Sequence, residues 1–563
     1  MNNVFYVLLR RLRIPLITMI LIYACSVLGF VLIPGMDDEG NVYRMDFFHA
    51  IYFVSFMGST IGFGEIPYAF TDAQRMWTLI TIYVTVIAWL YGIGTILSIL
   101  QEPVFGRMMR RRSFTSKVQR ITEPFYLVCG YGVTGTIIVR KLAQRGIRAV
   151  VIDIDESSID SLEMIDLPFE VPGLCADASL PDVLDDGGLQ HKKCVGVLAL
   201  TNFDQVNLSI SIASKLINPG RVVISRTEED VTTANLLSFG TDLVVNPFRV
   251  YAEYLSLAAH APYTHLVYDW LVNPYHRPLS SAYQKTKGQW IICGYGRFGQ
   301  SLYRAFDEED VDMTVVDFNL TEASDLPFLV IGKGTEALTL NEAGVEGAVG
   351  IVAGTDNDAD NLSIIMTARE MNPKLVTVVR QNVHANKLVF QKSGADFVME
   401  PGRIIANRVL AHLKSPLLPV FIEQMQVYDD VWAHTLLNRM NNLTQEEELD
   451  SWSVKIDQEN APALMEVLNA GGDIKLGLLL KDSHDRTSQL AAFPLMVQRN
   501  HEYDLLPGEL DLLKPGDEIL FCGRNKALRR MEGSINNFNT LNYLMTGNEA
   551  SGNLLSRLLN RGN

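Results

Sequence analysis

Thr60-Ile61-Gly62-Phe63-Gly64 is a short run whose chemistry lies in its backbone. Glycine at alternate positions permits positive φ, so successive carbonyl oxygens can point to one side. Thr60 adds a hydroxyl oxygen at the inner end. A fourfold ring of such strands would stack oxygen cages able to replace the hydration shell of K⁺.

A second constellation occurs twice. Gly130, Gly132 and Gly135 form one G-x-G-x-x-G, with Val133 and Thr134 inside it; Gly294, Gly296 and Gly299 form another, with Arg297 and Phe298 inside it. Each follows an apolar run and precedes an amphipathic segment, and an acid, Asp153 or Asp317, lies 23 residues after the first glycine. That is the dinucleotide-binding βαβ fingerprint in its required context. The helix N-terminus would take the phosphates, and the acid the ribose hydroxyls. Asp177 and Lys333 stand after the third strand of each unit, and Thr201 and Thr355 after the fourth. Arg297 and Lys333 suit a more anionic nucleotide or are solvated surface cations. Asp356, Asp358 and Asp360 suggest a Ca²⁺ loop, but Asn361 and Thr367 stand where an EF-hand needs Gly and Glu. Thr201-x-x-Asp204 and Thr355-x-x-Asp358 read better as helix caps. Cys129 and Cys293 read as small buried hydrophobes.

Elements must position these groups. Ile14–Ile33 is an uncharged run of 20 residues and Trp77–Leu100 one of 24. At ~1.5 Å per residue both are long enough to cross a bilayer. Arg10, Arg11 and Arg13 precede the first and Arg107 and Arg110 to Arg112 follow the second, which places both clusters on the cytoplasmic side. Met45–Met57 is too short to cross and suits a re-entrant helix leading into Thr60–Gly64. Non-helical backbone at that depth is tolerated where it is buried or lines water. Gly92 and Gly94 interrupt the second span, as a gating hinge or as a close-packing face.

The rest is a repeat. Tyr126–Asp155 aligns with Trp290–Asn319, and Thr201–Arg226 with Thr355–Arg380. An ordered series of this kind is a duplicated domain. The expected fold class is multidomain: an all-α membrane pore of two spans and a pore helix, two α/β Rossmann-like domains, and a small α/β C-terminal lobe. The expected bounds are 1–113, 114–287, 288–414 and 415–532, with a tail over 533–563. Of 563 residues, the first 113 hold nine Arg against seven acids, and the remainder is strongly acidic, giving a net charge of -16. That balance argues against nucleic acid as a partner. Six scattered Cys without C-x-x-C fit a reducing compartment.

Thr-Ile-Gly-Phe-Gly resembles the T-V-G-Y-G selectivity filter of potassium channels, with Phe63 for the usual Tyr and Glu65 for the usual Asp. The repeat, with its glycine loops, acids and T-x-x-D-x-x-N-L-S-I blocks, resembles the RCK (regulator of K⁺ conductance) domain. Leu513–Phe521 resembles the last strand of that family's C-terminal subdomain. The resemblance implies a homotetrameric, potassium-selective channel of the inner membrane, not an enzyme. A large cytoplasmic region would gate it by binding NAD or an adenine nucleotide, with Ca²⁺ a further candidate ligand. The alternatives are a membrane-anchored NAD-dependent oxidoreductase and a regulatory subunit of a separate transporter.

Overall fold

The structure is a computed structural model that describes residues 2–272, 288–320, 326–444, 449–500 and 502–548. It divides into two compact units, Met1–Arg120 and Ile121–Asn563.

In the first unit, long helices Asn2–Leu32 and Asp72–Leu100 carry the two apolar spans, and a 12-residue helix, Phe47–Gly58, lies between them in sequence. At ~1.5 Å per residue the short helix reaches only ~18 Å, far less than a bilayer core. Asp46 starts it, accepting a hydrogen bond from the His49 amide at 2.8 Å. The second span begins with a reciprocal capping box between Thr71 and Gln74. Phe30, Phe53 and Phe70 make the apolar centre, with ring centroids 4.9–5.8 Å apart. The Trp77 indole donates to the Ser26 carbonyl at 3.1 Å. A Cβ on Gly29 would stand 2.1 Å from the same indole, so the small residue is what lets the two spans meet. A further helix, Pro103–Gln119, completes the unit, so the expected boundary at 113 falls inside a helix.

The second unit holds two six-stranded parallel sheets of identical topology. In the first the spatial order is 173–175, 148–153, 125–129, 194–199, 222–226, 243–245; in the second it is 329–331, 313–317, 290–293, 350–353, 376–380, 397–399. The strands are near-continuous apolar runs because helices cover both faces. Each half lends the helix that follows its sixth strand to the other. Phe248, Tyr251 and Leu255 of helix Pro247–His260 share a core with Trp290, Phe298 and Leu302 of the second half. Ile405, Ala406 and Val409 of helix Pro401–Lys414 pack with Val128, Ile138 and Val139 of the first. Each such side chain contributes ~1.5–3 kcal/mol by leaving water. Neither half would bury its sheet face alone.

The C-terminal lobe is a four-stranded antiparallel sheet, ordered 449–455, 518–524, 492–499, 502–505. Residues read from sequence as tail belong to it in part. Helix Asn525–Asn536 runs through the expected boundary at 532, and Phe538–Thr546 follows. Ile535 and Leu541 are buried in the core with Trp452 and Phe521. Apolar residues at helical spacing are needed to cover the sheet, and that need overrides the polar composition. Residues 549–563 of the expected tail, and 273–287 of the first domain's expected end, lie outside the described residues.

Candidate functional site

Helix Phe47–Gly58 ends in a tight turn: the Thr60 amide donates to Met57 O at 3.0 Å and that of Ile61 to Phe56 O at 2.9 Å. The backbone then alternates. Thr60, Gly62 and Gly64 have φ of 65°, 69° and 107°, while Ile61 and Phe63 do not have positive φ. A β-branched residue in the left-handed region costs ~1–2 kcal/mol, which the surroundings must hold in place. Phe63 sets its ring edge-on to Phe56 of the short helix, with centroids 5.5 Å apart. Glu65 bridges the end of the run to the second span. It accepts from Arg75 Nε at 2.9 Å and from the Phe70 amide at 2.8 Å. An aromatic contact and an ion pair thus fix the loop on both sides. Gly92 and Gly94 lie within one continuous helix; a Cβ on Gly92 would stand 3.7 Å from Met19, and one on Gly94 would meet nothing.

The first glycine loop opens a pocket of about 600 Å³. Gly130 has φ of 105°, and a Cβ there would be 2.8 Å from the backbone of Leu200 and Thr201, so the turn excludes other residues. Helix Val133–Gln144 begins at Gly132 and presents its N-terminus to the pocket. Asp153 accepts from the Tyr131 amide at 2.5 Å and the Asp155 amide at 2.8 Å. The carboxylate therefore shapes the glycine loop as well as facing the cavity. Thr134, Asp177 and Thr201 also line it. In the second half Asp317 makes the matching bonds, from the Tyr295 and Asn319 amides, both at 2.7 Å.

Thr201 and Thr355 are not helix caps. The Asn207 side chain accepts from the Thr201 amide and hydroxyl at 3.0 and 2.8 Å and donates to the Thr201 and Arg226 carbonyls at 2.9 and 3.1 Å. Asn361 repeats this with Thr355 and Arg380. Asp204 and Asp358 reach past their helices to the next loop, taking amides of Glu228 and Glu229, and of Asn382 and Val383. The shared T-x-x-D-x-x-N spacing is a clasp between adjacent strand ends, which an N-cap reading misses because the partners are ~20 residues away in sequence. Among the described residues no group of three or more His, Cys, Asp or Glu is placed to hold a metal ion.

Arg297 is not a free surface cation. Its guanidinium meets Glu228 of the first half at 2.9 Å and lies 5.8 Å from the Phe248 ring. Lys333 stands 5.9 Å from the Phe318 ring. Cys129 and Cys293 are buried, and burial pushes both thiols up, that of Cys293 to about 12.

Residues outside the sequence-derived set complete the first pocket. Arg380, Asn382, His384, Glu400 and Gly402, all from the second half, line it beside Arg226 and Glu228. Arg226 pairs with Glu228 and Asn202. Burial holds the Arg380 guanidinium below the usual arginine range. One signal was present: Arg226 and Arg380 end the aligned blocks of the repeat. Their convergence on one cavity follows from the exchanged helices, which no local pattern encodes.

Two helices long and apolar enough to cross a bilayer, a short apolar helix between them and duplicated Rossmann-like sheets define a helical membrane region followed by parallel-sheet α/β domains. Residues 16–102 match the Ion channel family, and residues 126–247 and 290–401 each match the TrkA-N domain family. The chain is homologous to potassium channel proteins. It is 28% identical over 206 residues to "Potassium channel protein 1" of Methanocaldococcus jannaschii, covering 36% of this chain and 60% of that protein. It is 23% identical over 311 residues to "Probable potassium channel protein 2" of the same organism, covering 54% and 80%. The solved structure "GsuK channel bound to NAD" aligns over 94% of this chain and 99% of its own, at 16% identity and a TM-score of 0.45.

Proposed function

We propose that the chain forms a potassium-selective channel whose opening is set by a nucleotide bound to its Rossmann unit. The observation that carries this is the alternation of positive φ at Thr60, Gly62 and Gly64, directly after a helix too short to span. Positive φ at alternate residues is the backbone pattern that lets the carbonyls of Thr60 to Gly64 turn toward one side, as a dehydrated cation requires. Thr60, Ile61, Gly62, Phe63 and Gly64 then form one wall of the filter, and four copies close it. The Rossmann unit stays on the cytoplasmic side of the inner membrane, where the Arg clusters flank the spans.

The nucleotide reading is supported by the pocket at Gly130 to Gly135 and Asp153. NAD and adenine nucleotides are the proposed ligands, in preference to Ca²⁺, because a glycine loop and helix N-terminus suit phosphates. The ligand does work only through different affinities for two states of the cytoplasmic assembly. The strain reaches the pore along the covalent segment Gln101–Glu123, with Gly92 and Gly94 as the bending points. No bond is made or broken. The test is flux by the purified chain alone in liposomes. K⁺ uptake that exceeds Na⁺ uptake and responds to nucleotide is expected; absence of K⁺ flux overturns the reading.

A further inference from the structure

The exchanged helices meet the other half's Rossmann helices in two equivalent places, and the charges there differ. Where helix Pro247–His260 meets the second half, His260 faces Glu309, just past helix Arg297–Asp307, with Nε2 and Oε2 3.5 Å apart. Ser256 also donates to the Ala305 carbonyl at 3.1 Å. By the repeat offsets, His260 corresponds to Lys414, Glu309 to Arg145 and Ala305 to Lys141. An acid facing a histidine in one place is a set of cations in the other.

Lys141, Arg145 and Lys414 line a pocket of about 250 Å³ between helix Val133–Gln144, helix Pro401–Lys414 and the C-terminal lobe. Among the described residues Asp450, which pairs with Lys414, is the one carboxylate in the lining. Three cations against one acid stand out in a chain whose net charge is -16. Burial and the neighbouring Arg145 charge press the Lys414 ammonium below the usual lysine range.

The lobe supplies neutral donors. Ser451 pairs across the sheet with Cys522 and both line the pocket, while Trp452, next in the strand, turns into the opposite core. Ser451 is 2% exposed, and its hydroxyl has no hydrogen-bond partner among the described residues. Helix Asn525–Asn536 begins at the pocket, with its first residue in the lining and no side-chain cap. A buried hydroxyl left unsatisfied and like charges brought together both cost free energy, and one anion relieves both.

We infer that this pocket is a further ligand site, for a small phosphate-bearing anion held by Lys141, Arg145, Lys414 and the Ser451 hydroxyl. Donors that converge from several elements suit a tetrahedral oxyanion. The site shares no lining residue with the glycine-loop pocket and does not rest on the nucleotide reading. A ligand there ties the C-terminal lobe to the first half's Rossmann helix, so its binding favours the state in which the two are close.

The experiment is equilibrium dialysis of the full chain in detergent against radiolabelled inorganic phosphate, with chloride holding the ionic strength constant. Saturable phosphate binding is expected. Arg145→Glu restores the acid of the equivalent place and is expected to weaken that binding more than about 10-fold, as loss of a charged hydrogen bond does. Its melting temperature in phosphate-free buffer should be no lower than that of the wild type. Where Arg145→Glu impairs folding, Lys141→Gln decides: a fall of about 10-fold is expected, and unchanged affinity overturns the inference. Phosphate held elsewhere in the chain survives both substitutions, so no saturable binding, or equal binding by wild type and Arg145→Glu, also overturns it. Glycerol phosphate as competitor separates the sources: tighter binding than inorganic phosphate identifies a phosphate ester, weaker binding the free ion, and either keeps the site.

Discussion

Gly62 has φ of 69° and open space where a Cβ would stand, so backbone strain alone opposes a side chain. Gly62→Ala costs ~1 kcal/mol or more in each subunit by placing a Cβ in the left-handed region. We expect folded protein whose conduction is lost or no longer discriminates K⁺ from Na⁺; normal selectivity in liposome flux would remove Thr60–Gly64 from the ion path. At Asp153 the carboxylate is already engaged with two amides, yet retains lone pairs toward the cavity. Asp153→Ala should weaken NAD or ADP roughly 10- to 150-fold, the equivalent of ~1.5–3 kcal/mol for a charged hydrogen bond, with ion selectivity intact. NADP should act weakly on the wild type, because its 2′-phosphate would meet this carboxylate; equal potency of NAD and NADP in channel recordings would contradict the assignment. Both positions were legible from sequence because each lies within a local motif. Arg380, at a strand end, and Gly402, on an exchanged helix, were not, because only the packing of the two halves brings them to the first half's pocket.

Among elements, the ones with a strong period were readable. Two apolar runs became spans, and buried strands followed the glycine loops. Helix Pro103–Gln119 was not, since its run of Arg and Ser carries no apolar face long enough to announce it. The paired T-x-x-D-x-x-N blocks were visible as a repeat, but their role was misread, because a cap and a clasp share the same spacing. Asn207 is wholly buried and holds Thr201 and the Arg226 carbonyl together through four bonds. Asn207→Ala leaves those groups without partners, at ~1–3 kcal/mol for a buried unsatisfied group. A clear fall in the melting temperature of the detergent-solubilised chain is expected, and Asn361→Ala should do the same in the second half. If both variants melt with the wild type, the clasp contributes nothing and the helix starts are held by packing alone.

At the scale of the molecule, one chain is incomplete in two ways. On the proposed reading, Thr60–Gly64 offers a single wall of oxygen ligands, and a cage around a dehydrated cation needs several. Phe63 is 67% exposed and Ile61 60%, in a segment that a pore must bury against its copies. In the Rossmann unit Leu216, Val231 and Phe239 stand in the open along helices 204–217 and 230–238 and the turn after them. The two helices pack against each other, and apolar groups exposed on such a pair are surface that a subunit contact can cover. Closed cyclic symmetry is the usual answer to such a surface, and four identical walls satisfy both demands at once. We therefore expect a tetramer in mild detergent, measured by light scattering with the detergent mass subtracted. Conduction should track that species: fractions that sediment as monomer should carry no K⁺ flux after reconstitution. A stable dimer that conducts would contradict the fourfold pore, since two walls leave the cation half in water, and the filter reading would fall with it.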